Sequence, residues 1–119
     1  MPFSQSINNF QINSGNTPLL YPVRVIVPAG GIRTTVSFPD QFLGRALAIK
    51  ITNNDAANAA TYDYNLNGIF ANLPASNFAT IDTTVINYIT VITGALGTVL
   101  VEAQVLPIKR DEIPIEVMV

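Results

Sequence analysis

Two alternating runs between Arg45 and Gly68 organise the chain. In the first, Leu47, Ile49 and Ile51 point one way while Ala46, Ala48, Lys50 and Thr52 point the other. In the second, Tyr62, Tyr64 and Leu66 alternate with Thr61, Asp63 and Asn65. Successive side chains of a strand project to opposite faces, so strict period-two alternation predicts two half-buried strands. The stretch Asn53-Asn54-Asp55-Ala56-Ala57-Asn58 predicts a loop across which the two strands face each other. Asn67-Gly68 predicts a tight turn that closes the pair.

Further strands gather around this pair. Leu19 to Val27 places Val23, Val25 and Val27 on one face, and Pro22, with no N–H to donate, predicts an edge position. Pro28-Ala29-Gly30-Gly31 predicts a turn, and Pro39-Asp40 ends the strand from Ile32 to Phe38. Phe78 to Asp82, Val85 to Thr93 and Thr98 to Leu106 complete the set, the last with Val99, Val101, Ala103 and Val105 on one face. Val27-Pro-Ala-Gly-Gly-Ile32 is echoed by Leu73-Pro-Ala-Ser-Asn-Phe78, which reads as one good turn used twice. No stretch carries helical periodicity beyond a turn or two. Short strands with turn signals about every ten residues predict an all-β, single-domain two-sheet β-sandwich of seven to eight antiparallel strands, in immunoglobulin-like or jelly-roll order. Its expected interior includes Val25, Val36, Leu47, Ile49, Ile51, Tyr64, Ile89, Val99, Val101 and Val105.

The ends of the chain read differently. Residues 1–18 are polar and form an expected N-terminal arm, residues 19–106 the sandwich, and residues 107–119 a C-terminal arm. Beyond the charged Lys109-Arg110-Asp111-Glu112, the residues Ile113, Ile115, Val117 and Val119 alternate with Pro114, Glu116 and Met118. An unpaired apolar strand is an aggregation hazard. The arm is therefore expected to bind a partner by strand addition, with pairing as an eighth strand of its own sandwich as the rival.

Composition sharpens the picture. Fourteen Ile, eleven Val and eleven Thr favour the pleated sheet. Charged residues make up 12%, about half the ~25% usual in soluble domains. The formal net charge is -2, and the six basic residues form no stripe, so no nucleic-acid partner is expected. Residues 1–10 carry neither a basic n-region nor an apolar h-region, and no apolar run approaches ~20 residues, so neither a secretory signal nor a membrane span is expected.

Chemistry is sparse. The chain has no His and no Cys, which removes the commonest general bases, metal ligands and nucleophiles. Asp63 and Glu102 are the carboxylates whose mid-strand positions would let them oppose each other across a glycosidase cleft, but solvated surface groups are the expected role. Asn53-Asn54-Asp55 lacks the spacing of a calcium loop. Tyr21, Tyr62, Tyr64 and Tyr88 suggest a sugar platform, for which the absence of Trp and the shared face of Tyr62, Tyr64 and Leu66 substitute core packing. No catalytic, cofactor or metal residue is therefore expected, nor a small-molecule substrate.

A cadence runs through the core: Val27-Pro28-Ala29-Gly30, Phe38-Pro39, Ile49-Lys50-Ile51-Thr52-Asn53-Asn54, Tyr64-Asn65-Leu66-Asn67-Gly68, Leu73-Pro74-Ala75, Ile89-Thr90-Val91 and Gly97-Thr98-Val99-Leu100-Val101. It resembles small β-sandwich structural proteins of tailed-phage virions, of the capsid decoration or cement type. The resemblance implies a non-enzymatic virion protein, made in the host cytoplasm, that bridges capsid subunits as a homo-oligomer. Its partners would be the major capsid protein or other virion subunits. The alternative is a receptor- or carbohydrate-binding module of a phage fibre or cell-surface protein.

Overall fold

The structure is a computed structural model, and it describes residues 19–108. Eight strands run β1 (Tyr21–Val27), β2 (Arg33–Ser37), β3 (Gly44–Asn53), β4 (Ala60–Tyr64), β5 (Ala71–Leu73), β6 (Phe78–Ile81), β7 (Tyr88–Ile92) and β8 (Val99–Pro107). A five-residue helix, α1 (Phe38–Phe42), separates β2 from β3. The strands pair antiparallel as β1 with β8, β2 with β7, β3 with β6 and β4 with β5. That is one long hairpin rolled up on itself. Additional pairing of β3 with β8 and of β4 with β7 joins the rolled pairs into two four-stranded sheets, β1-β8-β3-β6 and β2-β7-β4-β5. This is the jelly-roll order, and it decides between the two topologies the alternation permits.

The core lies between the sheets. Val27, Val36, Phe38, Ile49, Ile51, Leu73, Ile86, Ile89, Val91, Val99, Val101 and Val105 are all buried there. The alternation of β8 emerges as expected, with Val99, Val101, Ala103 and Val105 buried against outward Leu100, Glu102 and Gln104. Val25 and Tyr64 are half-buried and pack against the core from its margin. Pro22 sits on β1, an edge strand, where a missing donor costs no ladder bond on the open side.

Three expectations need correction. The first is the pairing of the two runs between Arg45 and Gly68. β3 and β4 belong to different sheets, and Asn54 to Ala59 arches from one to the other. Alternation specifies which face of a strand is buried but not which sheet the strand joins. The second is Leu47, which stands at a bulge: Ala46 pairs with Val105 and Ala48 with Gln104, leaving Leu47 as the extra residue. The bulge shifts the inward set, so Ala46 and Ile49 are both buried while Leu47 is half-buried. The third is the turn after β4. It is centred on Asn65 and Leu66, whose φ values of 54° and 55° with a bond from Asn67 N–H to the Tyr64 carbonyl mark a type I′ turn ahead of Asn67-Gly68.

α1 has a local cause. Ser37 caps it by accepting from Asp40 N–H, Pro39 occupies the first turn, where no donor is needed, and Leu43 ends it in the left-handed region. Ser-Phe-Pro-Asp, expected only to end a strand, thus also starts a helix. Tyr21 Oη–H donates to the carbonyl of Phe42, tying α1 to β1.

Candidate interaction surface

The rolled topology gathers four inter-sheet arches at one end: β1–β2, β3–β4, β5–β6 and β7–β8. Asn53 and Asp55 hold them together. The Asn53 amide shares its two N–H groups among the carbonyls of Asn58, Leu73 and Pro74, and its own oxygen accepts from Asp55 N–H. Asp55 is 1% exposed. Its Oδ1 accepts from the N–H groups of Ala57 and Asn58, and its Oδ2 from Asn58 Nδ2 and from the N–H groups of Leu96 and Gly97. The β5–β6 arch joins through Ser76 N–H to the Asp55 carbonyl, and the β1–β2 arch through Gly30 N–H to Gly94 and Thr93 Oγ1 to Pro28. A buried carboxylate is costly unless its lone pairs are filled. Here five donors fill them.

The same donors set the titration of Asp55. The Ala57 N–H, then those of Leu96 and Asn58 with the Asn58 amide, hold its carboxyl far below the usual carboxylate range, overriding the upward push of burial. Every hydrogen-bond partner of the carboxylate is an N–H donor, which suits the anion itself. Two glycines make room for it. A Cβ on Gly97 would lie 2.3 Å from Asp55 Cα, and one on Gly94 2.5 Å from Oδ2. On sequence alone Asp55 reads as no more than a turn residue. The signal that pointed further was Asn-x-Asp at a strand end with Gly94 and Gly97 forty residues on. The Val-Pro-Ala and Leu-Pro-Ala echo also falls here: both mark arches that leave a buried strand end, and the φ of 109° at Gly30 is matched by 59° at Ser76.

The carboxylates of the glycosidase reading do not meet. Asp63 lies on the outer face of the β2-β7-β4-β5 sheet and Glu102 on the outer face of the other, with the whole core between them. Asp63 is also not solvated, being 4% exposed. The Asn65 to Phe70 segment folds over that face, with Gly68 N–H donating to Asp63 Oδ2 and the Arg33 guanidinium 5.0 Å from the Phe70 ring. Tyr21, Tyr62 and Tyr64 pack against the core and form no platform with Tyr88. Among the described residues, no group of three or more His, Cys, Asp or Glu could hold a metal ion, and no helix is long and apolar enough to cross a membrane.

The outer face of β1-β8-β3-β6 is bare by contrast. Cross-strand register sets its side chains in rows. Ile26, Leu100, Thr52 and Phe78 form one, with Ile26 64% and Phe78 60% exposed. Arg24, Glu102, Lys50 and Thr80 form the next. Pro22, Gln104 and Ala48 form a third, with Asp82 just past β6, and a depression of about 640 Å³ lies over this part of the face. Lys50 Nζ stands 4.7 Å from the Phe78 ring centre, a cation–π contact that bridges the apolar and charged rows. The expected partner-binding residues Ile113, Ile115, Val117 and Val119, like residues 1–18, lie outside the described residues.

No protein-family model matches the chain, and no curated protein matches it. Among solved structures it shares its fold with a chain from work on Bacillus endospore appendages, which form a family of disulfide-linked pili. The TM-score is 0.53 at 12% identity, over 81% of this chain and 94% of that one. At that identity the likeness speaks for the fold alone.

Proposed function

We propose that this chain is a non-enzymatic structural subunit that works in repeated copies within a larger assembly. The observation that carries the proposal is the bare outer face of β1-β8-β3-β6. A monomer gains nothing by exposing Ile26 and Phe78 beside an ordered charged row, whereas a subunit interface needs such a face. The arches fit the same role, since they close one end of the sandwich through bonds among themselves and leave a rigid block.

The finer form of the proposal makes the assembly a virion, with the chain as a capsid decoration or cement protein and the major capsid protein as its partner. Its support is the cadence shared with tailed-phage sandwich proteins. A second form, an extracellular appendage subunit, is favoured by the likeness to the pilus chain. Because these 119 residues contain no Cys, copies in either form join without disulfides of their own. In both forms the run Ile113 to Val119 adds as a strand to a free sheet edge of a neighbour.

Electron microscopy of the purified full chain, alone and mixed with emptied capsid shells, tests the proposal. An appendage subunit polymerises by itself, and a decoration protein binds shells in a regular array. A chain that stays monomeric and binds no shell contradicts both. Deleting Asp111 to Val119 is expected to leave the sandwich folded and to abolish the assembly; unfolding of the truncated monomer would assign that run to its own core.

A further inference from the structure

We propose that two copies of the chain pack face to face through the outer surface of β1-β8-β3-β6, about a twofold axis parallel to the strands and midway between β8 and β3. The inference rests on the reading of the chain as a repeated subunit, and it names the contact.

The pattern of the face selects this axis. A twofold parallel to the strands lays each row over the same row of the second copy and exchanges the strands, β8 over β3 and β1 over β6. Glu102 then faces Lys50 of the second copy, and by symmetry the pair forms twice. Ile26 faces Phe78 of the second copy, so the two most exposed apolar side chains of the face cover each other. Gln104 faces Ala48, whose small side chain helps leave the depression open to receive it. Arg24 faces Thr80, with Asp82 one row away. These three rows carry Arg24 and Lys50 against Glu102 and Asp82, so they meet with no net charge among themselves.

The other in-plane axis fails on the same residues. A twofold across the strands keeps each strand over its own copy and reverses the rows. The middle row then meets itself with like on like: Arg24 on Arg24, Glu102 on Glu102 and Lys50 on Lys50. Like charges opposed in a closing interface repel strongly enough to suppress that arrangement. Of these two axes the strand-parallel one is self-complementary, as an isologous contact requires. The second sheet offers no equivalent open face, because the Asn65 to Phe70 segment folds over part of it at Asp63 and Arg33. Four strands at ~4.8 Å and five residues at ~3.3 Å give a face of roughly 19 by 17 Å. That is about 320 Å² on each copy, well below the ~800 Å² per partner of a standard stable interface and in the range of weak, transient contacts, so the contact is weak in isolation and gains from repetition.

Charge reversal tests it. Each of K50E and E102K places like charges opposite one another in the pair, and each is expected to weaken self-association of the full chain by about tenfold or more in sedimentation velocity at high protein concentration. Mixing the two variants restores association, because K50E presents two carboxylates to the two ammonium groups of E102K. The mixing step is decisive. Lys50 and Glu102 are also register partners within one chain, but mixing cannot alter contacts inside either chain, and matching melting temperatures show that both fold. Wild-type association unchanged by either reversal, or a mixture no stronger than its components, overturns this contact while leaving the subunit reading intact. A wild-type chain that neither self-associates nor enters any assembly overturns both.

Discussion

Asp55 and Glu102 are both carboxylates of the β3–β8 pair, one just past the end of β3 and the other midway along β8, and the fold uses them in opposite ways. Asp55 is sealed inside the arch cluster, where five N–H donors from two loops converge on it. Glu102 stands on an open sheet between Arg24 and Lys50. The difference is between charge spent on internal closure and charge left for a partner. A buried charge contributes only when its own chain supplies every bond it needs. A surface charge contributes little to folding, so its placement in an ordered row points outward.

If that contrast holds, the largest effects follow damage to the arches. Asp55→Asn keeps the size of the side chain but turns an N–H group toward the N–H donors of Leu96, Gly97 and Asn58. The thermal midpoint should fall by ~10 °C or more. Gly97→Ala should destabilise by ~1–3 kcal/mol or more, since its new methyl group meets the Asp55 backbone. A midpoint unchanged in either variant would mean that the arches are not held by Asp55.

Core truncation comes next, and it sharpens the correction at the bulge. Ile49→Ala should cost ~2–5 kcal/mol in a chemical denaturation series. Leu47→Ala should cost well under half of that, because Leu47 is half-buried at the extra position of β3. Equal losses would restore the unbulged register in which Leu47 faces the core.

An acid titration of stability separates the two carboxylates further. The folded-state pKa of Asp55 is depressed, so its contribution is fully present above its ordinary value of about 3.9 and is lost as pH falls below that toward the folded value. The midpoint of the wild type should therefore drop steeply below about pH 4, and that of Asp55→Asn less steeply, so the gap between them narrows. A gap constant down to pH 2 would show that the charge of Asp55 is not what ties the arches.

The smallest effects on folding are expected on the bare face. Phe78→Ser and Lys50→Glu should each change unfolding free energy by no more than ~1 kcal/mol, while altering self-association. A loss as large as that of Ile49→Ala would make the face part of the core instead.

How much of this was legible in the sequence depends on the range of the interaction. β8 could be read residue by residue, because Val99 to Val105 obey a local alternation that any half-buried strand must show. Pro22 marked an edge because its missing donor is a local fact. The arch between β3 and β4 was not legible as an arch, since the alternation of Ile49 and Ile51 is the same whether β4 lies beside β3 or across the core. Leu47 misled for a related reason: a bulge depends on the partner strand, here at Val105 and Gln104. Asp55 looks like a turn residue, and it is one, but two of its five donors, at Leu96 and Gly97, lie forty residues away. Asp63 looked solvated because its cover is a loop that returns over the sheet. The rows of the bare face were the least legible part, because Ile26, Leu100 and Phe78 become neighbours only through the register of three ladders.

The most direct test of the division between closed arches and open face is the concentration dependence of side-chain NMR shifts in the full wild-type chain. Methyl and ring resonances of Ile26, Leu100 and Phe78 should move together as concentration rises, while those of Leu96, Phe70 and the arch residues Ala57 and Ala59 stay fixed. Shifts confined to Leu96 or Phe70, or to the arches, would contradict the account. So would no shift on the bare face at any concentration.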